Sequence, residues 1–154
     1  MNIDLISFSP EETFGFGESL GKLLNGNELI LLSGNLGAGK TMFTKGIGHA
    51  LGIDRREIVS PSYTLMNIYE GKFKFFHIDL YRIGEQINGG IPEIDDNLDT
   101  GIIVVEWGEF TGEYYSTEKN LIDLSISYTE GETSGRKISF FTELNIPPDA
   151  FPHN

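Results

Sequence analysis

The sequence predicts a three-layer α/β domain with a mixed, partly parallel central sheet and two β-hairpins, and three observations carry that expectation. The apolar run Leu29-Ile30-Leu31-Leu32 passes directly into a glycine-rich turn, and an amphipathic stretch follows at once. A second run, Ile102-Ile103-Val104-Val105, is β-branched and does not alternate, which is how a strand buried on both faces reads. Two pairs of alternating segments, 63–70 with 72–79 and 121–128 with 136–141, are each divided by a glycine-containing turn and read as hairpins.

In chain order, Ser9-Pro10-Glu11-Glu12 opens the first helix, with Ser9 as N-cap, Pro10 at the first helical position and Glu12 closing a capping box. Phe16, Leu20, Leu23 and Leu24 form its buried stripe, and Gly26 ends it. Glu28 to Ser33 is the first strand. After the turn, Phe43, Ile47 and Leu51 recur at i, i+4 and i+8 as the apolar stripe of a second helix, which Gly52 stops. Ser60-Pro61-Ser62 is a turn, because a residue before proline is pushed to extended geometry. Gly71 reverses the first hairpin. From Gly84 to Gly101 the periodicity is lost around Gly89-Gly90 and the acids Glu93, Asp95 and Asp96, so one short helix and much loop are expected there. Ile102 to Glu106 belongs beside the first strand. The second hairpin turns through a polar segment containing Gly131 and Gly135. The tail from Asn145 carries three prolines and is expected to be irregular, leaving a single domain over 1–144 and a tail over 145–154.

Composition narrows the function classes. At 154 residues and 39% hydrophobic, the chain supports one core. It has no cysteine, so disulfide frameworks and thiolate zinc sites are excluded. Met1-Asn2-Ile3-Asp4 carries no basic leader region and the longest apolar runs are four residues, so a cytoplasmic protein away from membranes is expected. The net charge is −12, from eleven basic residues against twenty-three acids, and the basic ones form no run longer than Arg55-Arg56. Tight binding to DNA or RNA rests on neutralising phosphates, so DNA is not an expected partner and tRNA is expected only through other proteins.

The chemistry lies in the glycine-rich turn. Gly34-Asn35-Leu36-Gly37-Ala38-Gly39-Lys40-Thr41 satisfies G-x-x-x-x-G-K-[ST] between a strand and a helix, the context a phosphate-binding loop requires. Glycines let backbone N–H groups converge on an anion, and the helix N-terminus adds its positive dipole end. Lys40 is expected at the β- and γ-phosphates and the Thr41 hydroxyl in the Mg²⁺ shell. This makes the domain P-loop NTPase-like. Such a site needs a carboxylate at the C-terminal end of a neighbouring strand, and two acids qualify: Asp79, ending Phe75-Phe76-His77-Ile78-Asp79, and Glu106, ending the β-branched run. His77, alone among aromatic neighbours, reads as structural. Arg82 divides evenly between a phosphate clamp and a structural ion pair, the lone Trp107 reads as core, and Ser60 to Thr64 as a hydroxyl-rich turn.

Rival nucleotide chemistries fare worse. A GTPase needs D-x-x-G and N-K-x-D; no aspartate here has glycine three residues on, and Lys119-Asn120 is in the wrong order. A small-molecule kinase needs an arginine-bearing lid, and 84–101 holds no arginine. A nucleotide-dependent docking module, with hydrolysis incidental, is the third alternative.

The phosphate loop, Ser60-Pro61-Ser62-Tyr63-Thr64-Leu65, His77-Ile78-Asp79-Leu80-Tyr81-Arg82 and Glu106-Trp107, in that order, resemble the TsaE family, the bacterial ATPases of tRNA threonylcarbamoyladenosine biosynthesis. The resemblance implies an ATPase that binds and slowly hydrolyses ATP with Mg²⁺. It also implies action with TsaD and TsaB in forming N6-threonylcarbamoyladenosine at position 37 of ANN-decoding tRNAs, without transferring the threonylcarbamoyl group itself. By motif, it assigns Lys40 and residues 34–41 to the nucleotide, Thr41 and Glu106 to the metal, and Asp79 to catalysis and metal. Ser60, Pro61, Ser62, Tyr63 and Thr64 become a switch, and Trp107 moves to the nucleotide's surroundings. Thr13, in the first helix, and Arg136 are placed beside the base. Serine stands at 60 and 62 where threonine is common, and Gly84, Gly89 and Gly90 interrupt a stretch that is usually more helical.

Overall fold

In the computed structural model the chain runs β1 (Asn2–Ser7), α1 (Pro10–Gly21), β2 (Leu29–Ser33), α2 (Lys40–Ala50), β3 (Met66–Glu70), β4 (Lys74–Asp79), α3 (Pro92–Asp95), β5 (Ile102–Glu106), β6 (Leu121–Tyr128) and β7 (Arg136–Thr142). Residues 1–61, 63–84, 87, 89–129 and 135–152 are described. The strands form one seven-stranded sheet in the order β1-β7-β6-β2-β5-β4-β3. β6, β2, β5 and β4 are mutually parallel; β7 and β3 pair antiparallel with β6 and β4 as the outer arms of the two hairpins.

The unalternated runs occupy the centre: Leu29 to Leu32 and Ile102 to Glu106 are buried throughout. One sheet face carries α1 and α2, whose Phe16, Leu20, Phe43 and Ile47 pack on Ile30, Leu32, Val104 and Leu124. The other face, over β2, β5 and β4, is covered by α3 and the turns after it, where Ile91, Ile94 and Tyr115 meet Leu31, Ile78 and Val105. Three layers result. α1 and α2 approach closely enough that a Cβ at Gly46 would overlap the Phe14 carbonyl, and one at Gly21 would lie 2.7 Å from the Ala50 Cβ. The glycines therefore set how near α2, and the loop that precedes it, lies to α1.

The Ser9 cap forms, its Oγ accepting from the Glu12 N–H at 3.1 Å. The reciprocal carboxylate bond goes to the Phe8 N–H at 2.9 Å instead of to Ser9 itself, one residue earlier than a capping box places it. The first hairpin is shorter than its alternation suggested, beginning at Met66 instead of 63 and resuming at Lys74 instead of 72. Within 84–101 the short helix is α3; Glu85, Gln86 and Asn88 lie outside the described residues, as does Gly131 in the second turn.

Two elements depart from the sequence expectation. β1 was not anticipated; it pairs antiparallel with β7 from Asn2↔Phe141 to Ser7↔Arg136 and forms the sheet's edge. The tail beyond Asn145 makes a single 3-10 turn, Pro148–Ala150, and inserts Ile146 and Phe151 into the helix-side core. The Phe151 ring lies 5.2 Å from Phe140 and 6.4 Å from Phe16. Among the described residues no helix is long and apolar enough to cross a membrane.

Candidate functional site

β2 delivers the chain to a loop at the C-terminal edge of the sheet. Gly39, the N-cap of α2, has φ 112°, a left-handed conformation that favours glycine, and contributes no side-chain cap. The first amides of an eleven-residue helix thus remain open to an anion. Lys40 is buried, and its Nζ donates to the carbonyls of Gly34 and Asn35, the latter at 3.1 Å, while standing 4.0 Å from the centroid of the Trp107 ring. Burial pulls the Lys40 ammonium below its ordinary pKa, and the negative charges of Glu109, Glu106 and Asp79 oppose that shift.

The two strand-end acids are neighbours across the sheet. β4 and β5 run parallel with Asp79 paired to Glu106, and Glu106 is in turn paired to Leu32 just before the loop. Thr41 Oγ1 donates to Glu106 Oε1 at 3.0 Å and lies 3.1 Å from Ser60 Oγ. The other carboxylate oxygen, Oε2, is hydrogen-bonded to Nε2 of His77. Asp79 Oδ1 accepts from the Tyr81 N–H at 2.9 Å. Burial holds the Asp79 carboxyl above the usual carboxylate range; the Tyr81 hydrogen bond works against this and the Glu106 charge adds to it. Thr41, Ser60, Asp79, Tyr81 and Glu106 line a cleft of about 280 Å³ together with Leu36, Gly37, Gly39, Lys40 and Trp107, and His77 lies buried behind Glu106. Among the described residues no cluster of three or more His, Cys, Asp or Glu could cage a metal alone. Two carboxylates and two hydroxyls form a hard oxygen set, which suits Mg²⁺ sharing its shell with phosphate oxygens and water.

Trp107 has φ 61° and ψ 38°, a strained conformation for a bulky side chain. Its half-buried ring stacks on Phe110 at 5.4 Å, meets Tyr81 at 5.1 Å and forms the wall beside Lys40. Trp107, which reads as core by residue type alone and which the family resemblance moves toward the nucleotide, thus lines the cleft. The 3-10 turn Gly108–Thr111 that follows brings Glu109 to the loop, where its Oε2 accepts from the Gly34 N–H at 3.2 Å.

The remaining expected residues fall into two groups. Thr13 is buried against the far side of the loop: a Cβ on Gly39 would lie 3.4 Å from its methyl, and its hydroxyl is 2.7 Å from Ser7 Oγ. Ser7 pairs with Arg136, whose guanidinium lies 4.0 Å over the Tyr128 ring. Thr13 and Arg136 therefore stand together on one flank of the loop, with Asp79 and Trp107 on the other. In the switch segment Ser60 lines the cleft, Pro61 is buried, Tyr63 is 95% exposed, and Thr64 donates to the Met66 carbonyl at 3.2 Å; Ser62 lies outside the described residues. Arg82 is exposed and is not among the described residues lining the cleft.

Sequence reasoning misses Tyr81 and Glu109 in the site and reads His77, which supports Glu106 from behind, as structural. For His77 a signal existed, since it shares a strand face with Asp79 two residues on. Glu109 had none beyond its nearness to Glu106 and Trp107.

Residues 7–138 match the profile of the family described as threonylcarbamoyl adenosine biosynthesis protein TsaE. A tRNA threonylcarbamoyladenosine biosynthesis protein TsaE from Aquifex aeolicus is 42% identical over 110 residues, covering 69% of this chain and 77% of its own. The protein of the same name from Treponema pallidum is 36% identical over 113 residues, covering 68% and 77%. That from Streptomyces coelicolor is 35% identical over 126 residues, covering 77% and 80%. The crystal structure of Bacillus subtilis YdiB superposes with a TM-score of 0.69 at 25% identity, covering 91% of this chain and 84% of that one.

Proposed function

Since the chain belongs to the TsaE family of tRNA threonylcarbamoyladenosine biosynthesis proteins, we propose that it serves this biosynthesis as a Mg²⁺-dependent ATPase acting with TsaD and TsaB. The observation that carries the reading is the Thr41–Glu106 hydrogen bond, which ties the loop's hydroxyl to a strand-end carboxylate. Loop, hydroxyl and acid then form one constellation of the kind phosphoryl transfer needs.

In this reading the amides of Gly37, Gly39, Lys40 and Thr41 and the Lys40 ammonium receive the β- and γ-phosphates, while the Ala38 N–H stays on the Asn35 carbonyl. Lys40 exchanges its carbonyl partners at Gly34 and Asn35 for phosphate oxygens. Thr41 and Glu106 hold the metal, and Asp79 shares that shell or orients the attacking water. Bound Mg²⁺ supplies charge neutralisation on the triphosphate. Asp79, with its carboxyl raised by burial, is suited to accept a proton from water. Thr13 and Arg136 flank the base, and Ser60 couples the phosphate site to the exposed 63–64 segment. With a net charge of −12, the chain meets tRNA through its protein partners, in the cytoplasm.

The test is ATP hydrolysis by the purified chain, alone and with TsaD and TsaB, for the wild type and Asp79→Asn. Weak hydrolysis alone, stimulation by the partners and loss of both in the variant are expected. Hydrolysis of equal rate in the variant would remove Asp79 from the reaction.

A further inference from the structure

We propose that His77 is a positioning residue that pins the Glu106 carboxylate, so that a single oxygen, Oε1, is offered to the loop; this rests on the reading of Glu106 as part of the nucleotide and metal site. His77 is fully buried on β4, in register with Val104, two residues before the strand's terminal Asp79. Its Nε2 is hydrogen-bonded to Glu106 Oε2, whereas its Nδ1 is buried with no hydrogen-bond partner among the described residues. A carboxylate only accepts, and an N–H without an acceptor is costlier to bury than a lone pair. The imidazole proton therefore belongs on Nε2, and His77 donates to Glu106.

The consequence lies in what is left of the carboxylate. Glu106 is 3% exposed, and its two oxygens are divided between His77 and Thr41. Held from both sides, the group cannot turn both oxygens into the cleft, so it meets a cation edge-on through Oε1. Asp79 cannot take over the task of His77, because a carboxylate only accepts hydrogen bonds, as its Oδ1 does from the Tyr81 N–H. Supporting groups that fix a ligating carboxylate typically change metal affinity by about 10- to 100-fold when removed.

The decisive comparison is His77→Leu, which removes the donor and keeps an apolar filler, with His77→Gln, whose side-chain amide can restore a donor near the Nε2 position. Binding of a fluorescent ATP analogue is measured with and without Mg²⁺, and melting confirms that each variant folds. His77→Leu is expected to leave metal-free binding within about twofold and to reduce the Mg²⁺-dependent gain by roughly tenfold or more, while His77→Gln recovers most of that gain. Equal losses in the two variants, or an unchanged Mg²⁺ gain in His77→Leu, would overturn the proposal. A nucleotide-free double-mutant cycle separates this proposal from the ATPase reading: the melting shifts of His77→Leu and Glu106→Gln are expected to be non-additive. If the wild type gained nothing from Mg²⁺, the ATPase reading would fall while a non-additive cycle still supported the hold of His77 on Glu106. Additive shifts would refute that hold.

Discussion

Thr41 donates its hydroxyl to Glu106 Oε1 across 3.0 Å, joining the first turn of α2 to the end of β5, 65 residues further along the chain. The bond gives the loop a fixed carboxylate neighbour before any nucleotide arrives. Replacing Thr41 by Val keeps the shape and strips a nearly buried acceptor of its partner, which costs about 1–3 kcal/mol. Chemical denaturation should register that loss. Mg²⁺-dependent nucleotide affinity should fall with it by roughly tenfold, while Thr41→Ser, keeping the hydroxyl, stays near wild type.

Trp107 is the only tryptophan in the chain, and Lys40 Nζ lies 4.0 Å from its ring centroid. Its emission therefore reports where the ammonium is. Titration with ATP should change the fluorescence as Lys40 leaves the ring for the phosphates. Lys40→Ala should shift the starting emission, abolish the titration signal and weaken binding by about 10- to 100-fold, as loss of a charge-assisted hydrogen bond does. An intact titration signal in Lys40→Ala would separate the tryptophan from the phosphate site.

Glu109 places a carboxylate on the Gly34 N–H and acts electrostatically on Lys40, so under the proposed function it would compete with a triphosphate. Glu109→Gln should tighten ATP binding by a few-fold at low salt, with the advantage shrinking as salt rises, because exposed charges are screened. Calorimetric titration at two ionic strengths checks both the direction and the salt effect.

Asp79 yields a pH dependence. Its folded pKa is raised above the unfolded value of about 3.9, so between the two the native state keeps a proton that the unfolded chain has lost. Ionising it costs stability; that penalty is complete above the folded pKa and disappears as pH falls below the unfolded one. Asp79→Asn should melt above wild type at neutral pH, with the gap closing toward acid pH, even as hydrolysis is lost. A variant melting lower at pH 7 would contradict the assigned burial cost.

The helix pair makes a prediction independent of the site. Gly46→Ala would drive a methyl into the Phe14 carbonyl, so the variant should lose about 1–3 kcal/mol in denaturant unfolding. Gly52→Ala meets no atom within 4 Å, but its φ of 88° makes it costly for backbone reasons alone.

The central strands, the loop and both strand-end acids were legible because each is encoded locally: an unalternated run, a fixed spacing, an acid where an apolar run stops. β1 was not, since an edge strand of six residues depends on pairing with Arg136–Thr142 at the other end of the chain. Phe151 and Ile146 sit among prolines with no periodicity to mark them, and only the space left beside Phe16 and Phe140 explains their burial. Trp107 read as core because its left-handed backbone, which turns the ring toward Lys40, has no residue-type signature. His77 read as structural because its partner lies 29 residues away on another strand.

The most direct test of the whole account is reconstituted threonylcarbamoylation of tRNA with purified TsaD, TsaB and this chain, comparing wild type with Lys40→Ala and Glu106→Ala. Modification is expected to depend on the chain and on ATP hydrolysis by it, and both variants are expected to fail while remaining folded. Full modification with Lys40→Ala would show that the nucleotide cycle built around Thr41 and Glu106 is not what the chain contributes.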